Sequence, residues 1–259
     1  MLGKIAGAIA VVTGGGSGIG RAIAAGLAAR GARHIVVADL AGAAAVLVAD
    51  SIRENGGEVT PLALNVSNEA ALAEAVRHIE VEIGPIGAWF SNAGVHLGEG
   101  LGSTGDWRES IAVNVMGHVH AASTVLPLMA ARSAGAFVVT ASAAGLLTDI
   151  RCAPYSASKH AAVALAEWLA IRHGDEGPSI HCACPEGVVT AMTHASSAAV
   201  VSGFITAEAA AAAILDGVEA GEFLILPHAR TAEFERRRTE DRPRWLAAMR
   251  KRAVTQFKS

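Results

Sequence analysis

Seven short apolar runs recur along the chain, the first six each followed by a stretch with the spacing of a helix, and this alternation leaves few folds open. The runs are "AIAVV" (8–12), "HIVVAD" (34–39), "VTPLALNV" (59–66), "GAWFSNAG" (87–94), "GAFVVTAS" (135–142), "SIHCAC" (179–184) and "EFLIL" (222–226). Helical spacing fills 18–30, 41–55, 69–83, about 105–132, the segment around Tyr155, and about 206–220. Strands that are apolar at nearly every position are buried on both faces, so the alternation predicts an α/β fold: a parallel sheet with helices on both sides. A chain of 259 residues, 52% hydrophobic, can bury a large core, and no composition break divides it. Residues 1–259 therefore read as a single domain.

Several function classes fall away on composition. No uninterrupted apolar stretch reaches the ~18 residues that span a bilayer. The N-terminal "MLGKIAGAIAVVTGGG" lacks a small-residue cleavage site and runs into glycines, which reads as a first strand rather than a signal peptide. Membrane association is not expected. Three cysteines, Cys152, Cys182 and Cys184, are odd in number, and no Cys/His set has the spacing of a zinc site. A reducing cytoplasm and no metal are the expectations. Net charge is −3, unevenly spread: from His228 onward ten Lys/Arg face four Asp/Glu, a net of +6, which leaves −9 for the rest. This tail, 228–259, interleaves its charges with Phe234, Trp245, Leu246, Met249 and Phe257. It reads as an amphipathic helix that packs on its own body or on another subunit, not as a nucleic-acid arm.

The first strand ends in "VTGGGSGIGRAIA": Gly14, three residues, Gly18, Ile19, Gly20, then a helix. Glycines there permit a tight turn and a close backbone approach to a pyrophosphate, which the helix N-terminus then holds. Glycine turns serve many purposes, but at the first β-α junction of an alternating chain dinucleotide binding is favoured. A second feature is "PYSASKHAAVAL" (154–165), which holds the only tyrosine, Tyr155, one helical turn before Lys159. A cation on the same helix face would favour a phenolate and fit the tyrosine for acid–base work. Taken alone, the pair reads sooner as a core aromatic beside a surface lysine, because the pattern is short and common.

Six segments in order, "TGGGSGIG" (13–20), "NAG" (92–94), Asn114 in "IAVNVMG", Ser142 in "TASAAG", "YSASK" (155–159) and "PEGVVT" (185–190), resemble the short-chain dehydrogenase/reductase family over nearly the whole chain. The resemblance implies a Rossmann-type, doubly wound, seven-stranded parallel sheet in the order 3-2-1-4-5-6-7. It implies an NAD-dependent oxidoreductase that moves a hydride between a secondary alcohol or ketone and the nicotinamide. Carried over, Tyr155 is the general acid/base. Lys159 lowers its pKa and meets the nicotinamide ribose. Ser142 bonds the substrate oxygen, and Asn114 holds a water on a proton path. The expected cofactor contacts are Gly14, Ser17, Gly18, Ile19 and Gly20 at the phosphates and Asp39 and Leu40 at the adenine ribose. Asn65 and Val66 would lie at the base, with Asn92, Ala93, Gly94, Tyr155, Lys159, Pro185, Val188 and Thr190 toward the nicotinamide. Asp39 ends the second strand, where a carboxylate accepts ribose hydroxyls and repels a 2′-phosphate, so NAD is expected over NADP. It also reads as the N-cap of the next helix. Family members are mostly homodimers or homotetramers, and the basic tail is expected at such an interface.

The sequence departs from the family pattern twice. Asn65 stands where Asp is common, and Glu186 follows Pro185 where Gly is common; Glu186 is expected to face solvent or line the substrate mouth. The substrate loop should run from about 186 to 205, with Met192, Val200, Val201, Phe204 and Ile205 as walls. It holds no Lys or Arg before Arg230, which argues for a neutral, moderately apolar alcohol or ketone. Arg151 and His96 are further candidates for substrate contact, whereas His118 and His120 read as structural or surface groups. Rival readings are a 3-oxoacyl-thioester reductase, an epimerase or dehydratase on the same fold, and a non-catalytic dinucleotide-binding regulator.

Overall fold

The computed structural model describes residues 5–174, 177–194 and 203–256. Among the described residues nine strands form in chain order: β1 (Ile9–Thr13), β2 (His34–Asp39), β3 (Val59–Ala63), β4 (Ile86–Ser91), β5 (Ala136–Thr140), β6 (Ser179–Ala183), β7 (Val188–Val189), β8 (Ile205–Thr206) and β9 (Leu224–Ile225). Seven of them make one parallel sheet in the order β3-β2-β1-β4-β5-β6-β9, and β7 pairs with β8 apart from it. The helices are α1 (Gly18–Ala29), α2 (Gly42–Glu54), α3 (Glu69–Glu82), α4 (Thr104–Ile111), α5 (Gly117–Ala131), α6 (Ala144–Leu147), α7 (Ala153–His173), α8 (Ala191–His194), α9 (Ala207–Ala220), α10 (Arg230–Glu240) and α11 (Arg242–Gln256). The expected single-domain α/β sheet and its strand order are both present.

Strand alternation divides the interior into two cores. Val11, Trp89 and Phe137 sit in register on neighbouring strands and face a core that includes Leu72, Val125, Met129 and Leu169 from α3, α5 and α7. Ala10, Val12, Phe90 and Val138 face the other side, where Ile23, Leu27, Ile52 and Ile214 from α1, α2 and α9 cover them. β1 is buried at all five positions, as a central strand covered on both faces must be. The strand order reverses direction between β1 and β4, and a crevice opens there beyond the carboxyl ends of the strands.

The strand ends are shorter than the apolar runs suggested. β3 stops at Ala63, because Asn65 turns the chain by accepting hydrogen bonds from the Ser67 amide (3.0 Å) and hydroxyl (2.7 Å). The helix expected over about 105–132 is α4 and α5 joined by a π-helical turn, Ala112–Met116, with Pro127 inside α5. The 28-residue run Thr104–Ala131 is long and apolar enough to cross a membrane by length and composition, although its apolar residues are not contiguous. In this fold it packs on the sheet and α3, burying Ala121, Val125, Leu126 and Met129.

Candidate active site

The first β-α turn is shaped by glycine where side chains would collide. Gly14 has φ +64°, and a Cβ there would lie 2.9 Å from Ala93 Cα; at Gly20 a Cβ would lie 2.0 Å from the Gly14 carbonyl oxygen. The loop therefore closes on the "NAG" segment, and Thr13 clamps the two. Its hydroxyl accepts from the Asn92 (3.0 Å) and Ala93 (3.1 Å) amides, while Asn92 Nδ2 donates to the Thr13 carbonyl at 3.1 Å. Ser17 precedes α1 but makes no side-chain cap, so the leading N–H groups of the helix are open to an anion. These features fit the pyrophosphate of a dinucleotide.

Asp39 lies at the end of β2, lining the cleft. Its carboxylate accepts from the Gly16 and Ala41 amides, each at 2.9 Å, which fixes the carboxylate against the glycine loop. It is not the α2 N-cap expected from sequence: Ala41 takes that position, without a side-chain bond. Leu40, 74% exposed, lines the same end of the cleft.

At the far end, α7 presents Tyr155 and Lys159 to the cleft. Lys159 Nζ donates to the Thr140 carbonyl at 2.9 Å and stands 5.9 Å from the centroid of the Tyr155 ring. Burial brings the Lys159 pKa down to about 8. Burial also raises the Tyr155 pKa, against a hydrogen bond with Ser142 that lowers it, and Lys159 is not among the causes. The expected lowering of Tyr155 by Lys159 is thus not what this structure shows: the ammonium is directed at Thr140, and the phenol loses hydration. Ser142, buried at the end of β5, aligns its hydroxyl by accepting from the Ala144 amide at 3.1 Å. Asn114 sits fully buried on the π-helical turn. It accepts from the Val95 amide (2.8 Å) and donates to the Val95 carbonyl (2.9 Å) and the Ser158 hydroxyl (3.0 Å). A Cβ on Gly94 would lie 3.2 Å from Asn114 Oδ1 and 3.3 Å from Lys159 Nζ, so these groups converge on one point.

One cleft of about 1320 Å³ is lined by every residue the sequence reading assigned to cofactor or catalysis except Asn114, which lies just behind the wall. Met192 and Phe204 line it as expected, whereas Val200, Val201 and Phe257 lie outside the described residues. The tail does something the sequence did not disclose. α10 packs near α6, and Phe234, Trp245, Ala248 and Met249 form a wall of the same cleft. Of the two placements considered for the tail, this is packing on its own body.

Glu186 explains how the tail is held. Its carboxylate accepts from Arg230 Nε (2.7 Å) and the Thr231 hydroxyl (2.7 Å), and its amide donates to His228 Nδ1 at 3.2 Å. The side chain is only 14% exposed, so the expectation that it faces solvent is corrected. The absence of cations near the substrate loop is corrected too, because folding brings Arg230, Arg237, Arg244 and Arg252 to the cleft. Arg230 is neutralised by Glu186, Arg237 by Glu233 and Arg151 by Asp149. Arg244 and Arg252 have no ion-pair partner among the described residues and sit exposed on α11 at the mouth. His118 and His120 are buried structural groups, bonded through Nδ1 to the Ser91 hydroxyl (2.7 Å) and the Val66 carbonyl (3.1 Å). Among the described residues no group of three or more His, Cys, Asp and Glu is placed to hold a metal.

The comparisons with known proteins agree with this geometry. The model of the short chain dehydrogenase family matches residues 8–200. Meso-2,3-butanediol dehydrogenase of Serratia marcescens is 35% identical over 188 residues, 72% of this chain and 73% of that protein. Cyclohexanol dehydrogenase of Acinetobacter sp. (strain SE19) is 33% identical over 189 residues, 71% of this chain and 74% of that protein. The crystal structure of a short chain dehydrogenase/reductase from Burkholderia phymatum in complex with NAD superposes with a TM-score of 0.84 at 31% identity, covering 92% of this chain and 95% of that one. With the sheet order, the glycine loop and the Ser142, Tyr155 and Lys159 cluster in one cleft, these matches place the chain in the short-chain dehydrogenase/reductase family of oxidoreductases.

Proposed function

We propose that this protein is an NAD-dependent dehydrogenase of neutral, moderately apolar secondary alcohols, or in reverse a reductase of the ketones. The observation that carries the reading is the convergence of Ser142, Tyr155 and Lys159 at the inner end of a cleft whose other end is the glycine loop and Asp39. The nicotinamide, when bound, takes or supplies the hydride. The residues of this chain do the rest. Ser142 orients the substrate oxygen, and its hydroxyl stabilises charge that develops there. Tyr155 exchanges a proton with that oxygen, and its hydrogen bond with Ser142 favours the deprotonated form against the effect of burial. Asn114, bonded to Val95 and Ser158, holds the π-helical turn behind Lys159, and a water there would link Lys159 to solvent.

NAD is favoured over NADP because Asp39, fixed by two amides, would repel a 2′-phosphate, and among the described residues no arginine pairs with it. A neutral substrate is favoured because Arg151 and Arg230 are already paired with Asp149 and Glu186, and Val95, Leu147, Ile150, Met192 and Phe204 give the pocket apolar walls. The segment around 186–205 serves as the substrate loop. Three unpaired, buried thiols suit a reducing cytoplasm. Trp168 and Ile171, exposed on α7, support a homodimer or homotetramer. Absorbance at 340 nm tests the activity: NAD and NADP are each offered with aryl and alicyclic secondary alcohols and with 3-hydroxyacyl thioesters. Higher kcat/KM for the alcohols with NAD is expected; a clear preference for the thioesters would overturn the substrate reading.

A further inference from the structure

One polar cluster beside Tyr155 is not used by the reaction described above. The His96 ring stands against the Tyr155 ring, with centroids 4.5 Å apart and planes tilted by 44°, and it lines the cleft. Its Nε2 lies 3.3 Å from Asp149 Oδ2. Asp149 is itself locked: its carboxylate accepts from the Arg151 amide (2.9 Å), Nε (3.0 Å) and Nη2 (2.8 Å). Its main chain is tied to Ser156, one residue beyond Tyr155, through bonds of 2.8 and 2.9 Å to the Ser156 hydroxyl. The residue before it, Thr148, has φ +79° and ψ 124°, a conformation that is costly for a β-branched side chain. The fold therefore accepts local strain at the turn that aims this carboxylate at His96.

Chemistry then fixes what His96 offers. Burial alone would raise the Asp149 pKa, but the bonds from His96 and Arg151 outweigh it and hold the group below the usual carboxylate range. An ionised Asp149 only accepts, so Nε2 carries a hydrogen, and in the imidazole form of the ring Nδ1 is left as an acceptor. Among the described residues Nδ1 has no protein partner. A neutral imidazole presenting a bare acceptor selects a hydroxyl donor; it gives nothing to a hydrocarbon and repels an oxygen that cannot donate.

We infer that His96, positioned by Asp149, accepts a hydrogen bond from a second hydroxyl of the substrate, so that the site takes diols and hydroxyketones ahead of simple secondary alcohols. This rests on the proposed alcohol–ketone reaction and narrows its substrate class. The step transfers no group: the second hydroxyl keeps its proton, and the carbinol bonded to Tyr155 and Ser142 reacts. With ring centroids 4.5 Å apart, His96 stands beside the phenol proposed to meet the reacting carbinol.

The test compares kcat/KM for cyclohexane-1,2-diol and cyclohexanol, with NAD, in the full chain. Wild type should favour the diol, and His96→Phe, which keeps an aromatic ring against Tyr155 but removes the acceptor, should lower the diol-to-alcohol ratio by about three- to tenfold, mainly through KM for the diol. His96→Gln restores an acceptor and should recover part of the ratio. Asp149→Asn, which weakens the charge that sets the imidazole tautomer, should lower the ratio less than His96→Phe. A wild-type ratio at or below one, or equal losses on both substrates in His96→Phe, overturns the inference while leaving the alcohol reading standing. No turnover of either substrate by wild type overturns both.

Discussion

A phenol is an unusual acid–base group near neutral pH, and the structure shows why Tyr155 needs its surroundings. Burial favours the neutral phenol, so as it stands the group is set to donate a proton rather than to take one. Lys159, whose pKa of about 8 leaves it mostly an ammonium at pH 7, donates to the Thr140 carbonyl beside this phenol. Tyr155→Phe deletes the oxygen proposed to move the proton and keeps the ring that packs on His96. Its kcat should fall by at least about a hundredfold, within the range typical of a lost general acid or base, while NAD affinity stays within about threefold of wild type. Retention of more than a tenth of wild-type kcat would remove Tyr155 from the role. Tyr155 and Lys159 were legible because one helical turn separates them in the sequence. Asp149 was not, because its importance arises from a strained turn and from a contact with His96, 53 residues away.

At the scale of elements, the proposed preference for NAD rests on the end of β2. Asp39 is held by the amides of Gly16 and Ala41, and Leu40 projects into solvent beside it. In the double variant Asp39→Ala with Leu40→Arg, the fixed negative charge is lost and a guanidinium gains access to the 2′ position. The NADP-to-NAD ratio of kcat/KM should rise at least about tenfold, and NAD binding should weaken, since the glycine loop also loses its bond at Gly16. An unchanged ratio in steady-state assays would show that this strand end does not choose the cofactor. Strands were the most legible elements: a parallel sheet buried on both faces writes itself as continuous apolar runs. Their ends were overextended where a polar turn follows, as after Ala63. The π-helical turn at Asn114 and the short helix after Ser142 have no periodic signature, since each is set by tertiary contacts such as Val95 on Asn114.

The basic tail, 228–259, is where the whole molecule departs most from what the sequence disclosed. Its composition indicated an amphipathic segment, but no local pattern says that Glu186 will meet Arg230 and Thr231 and draw that segment over the cleft. α10 carries this clamp, whereas α11 brings Trp245 and Met249 to the cleft wall and Phe234 meets Trp245 with ring centroids 6.2 Å apart. The two helices can therefore be tested separately. A chain ending at Asp241 keeps the clamp and loses only the outer wall, so Glu186 is not left as an unpaired carboxylate with little access to water. Because Trp245 and Met249 line the cleft and, among the described residues, none of the lost residues is hydrogen-bonded to the glycine loop, KM for the alcohol should rise by about tenfold or more while the NAD dissociation constant changes less than about twofold. The same protein, measured by light scattering, reports whether α11 also holds subunits together: a smaller particle would place it at an interface as well as at the cleft. An unchanged KM with an unchanged particle would mean that α11 forms neither wall nor interface in solution, and that the aromatic pair at Phe234 and Trp245 serves only to fasten the tail to itself.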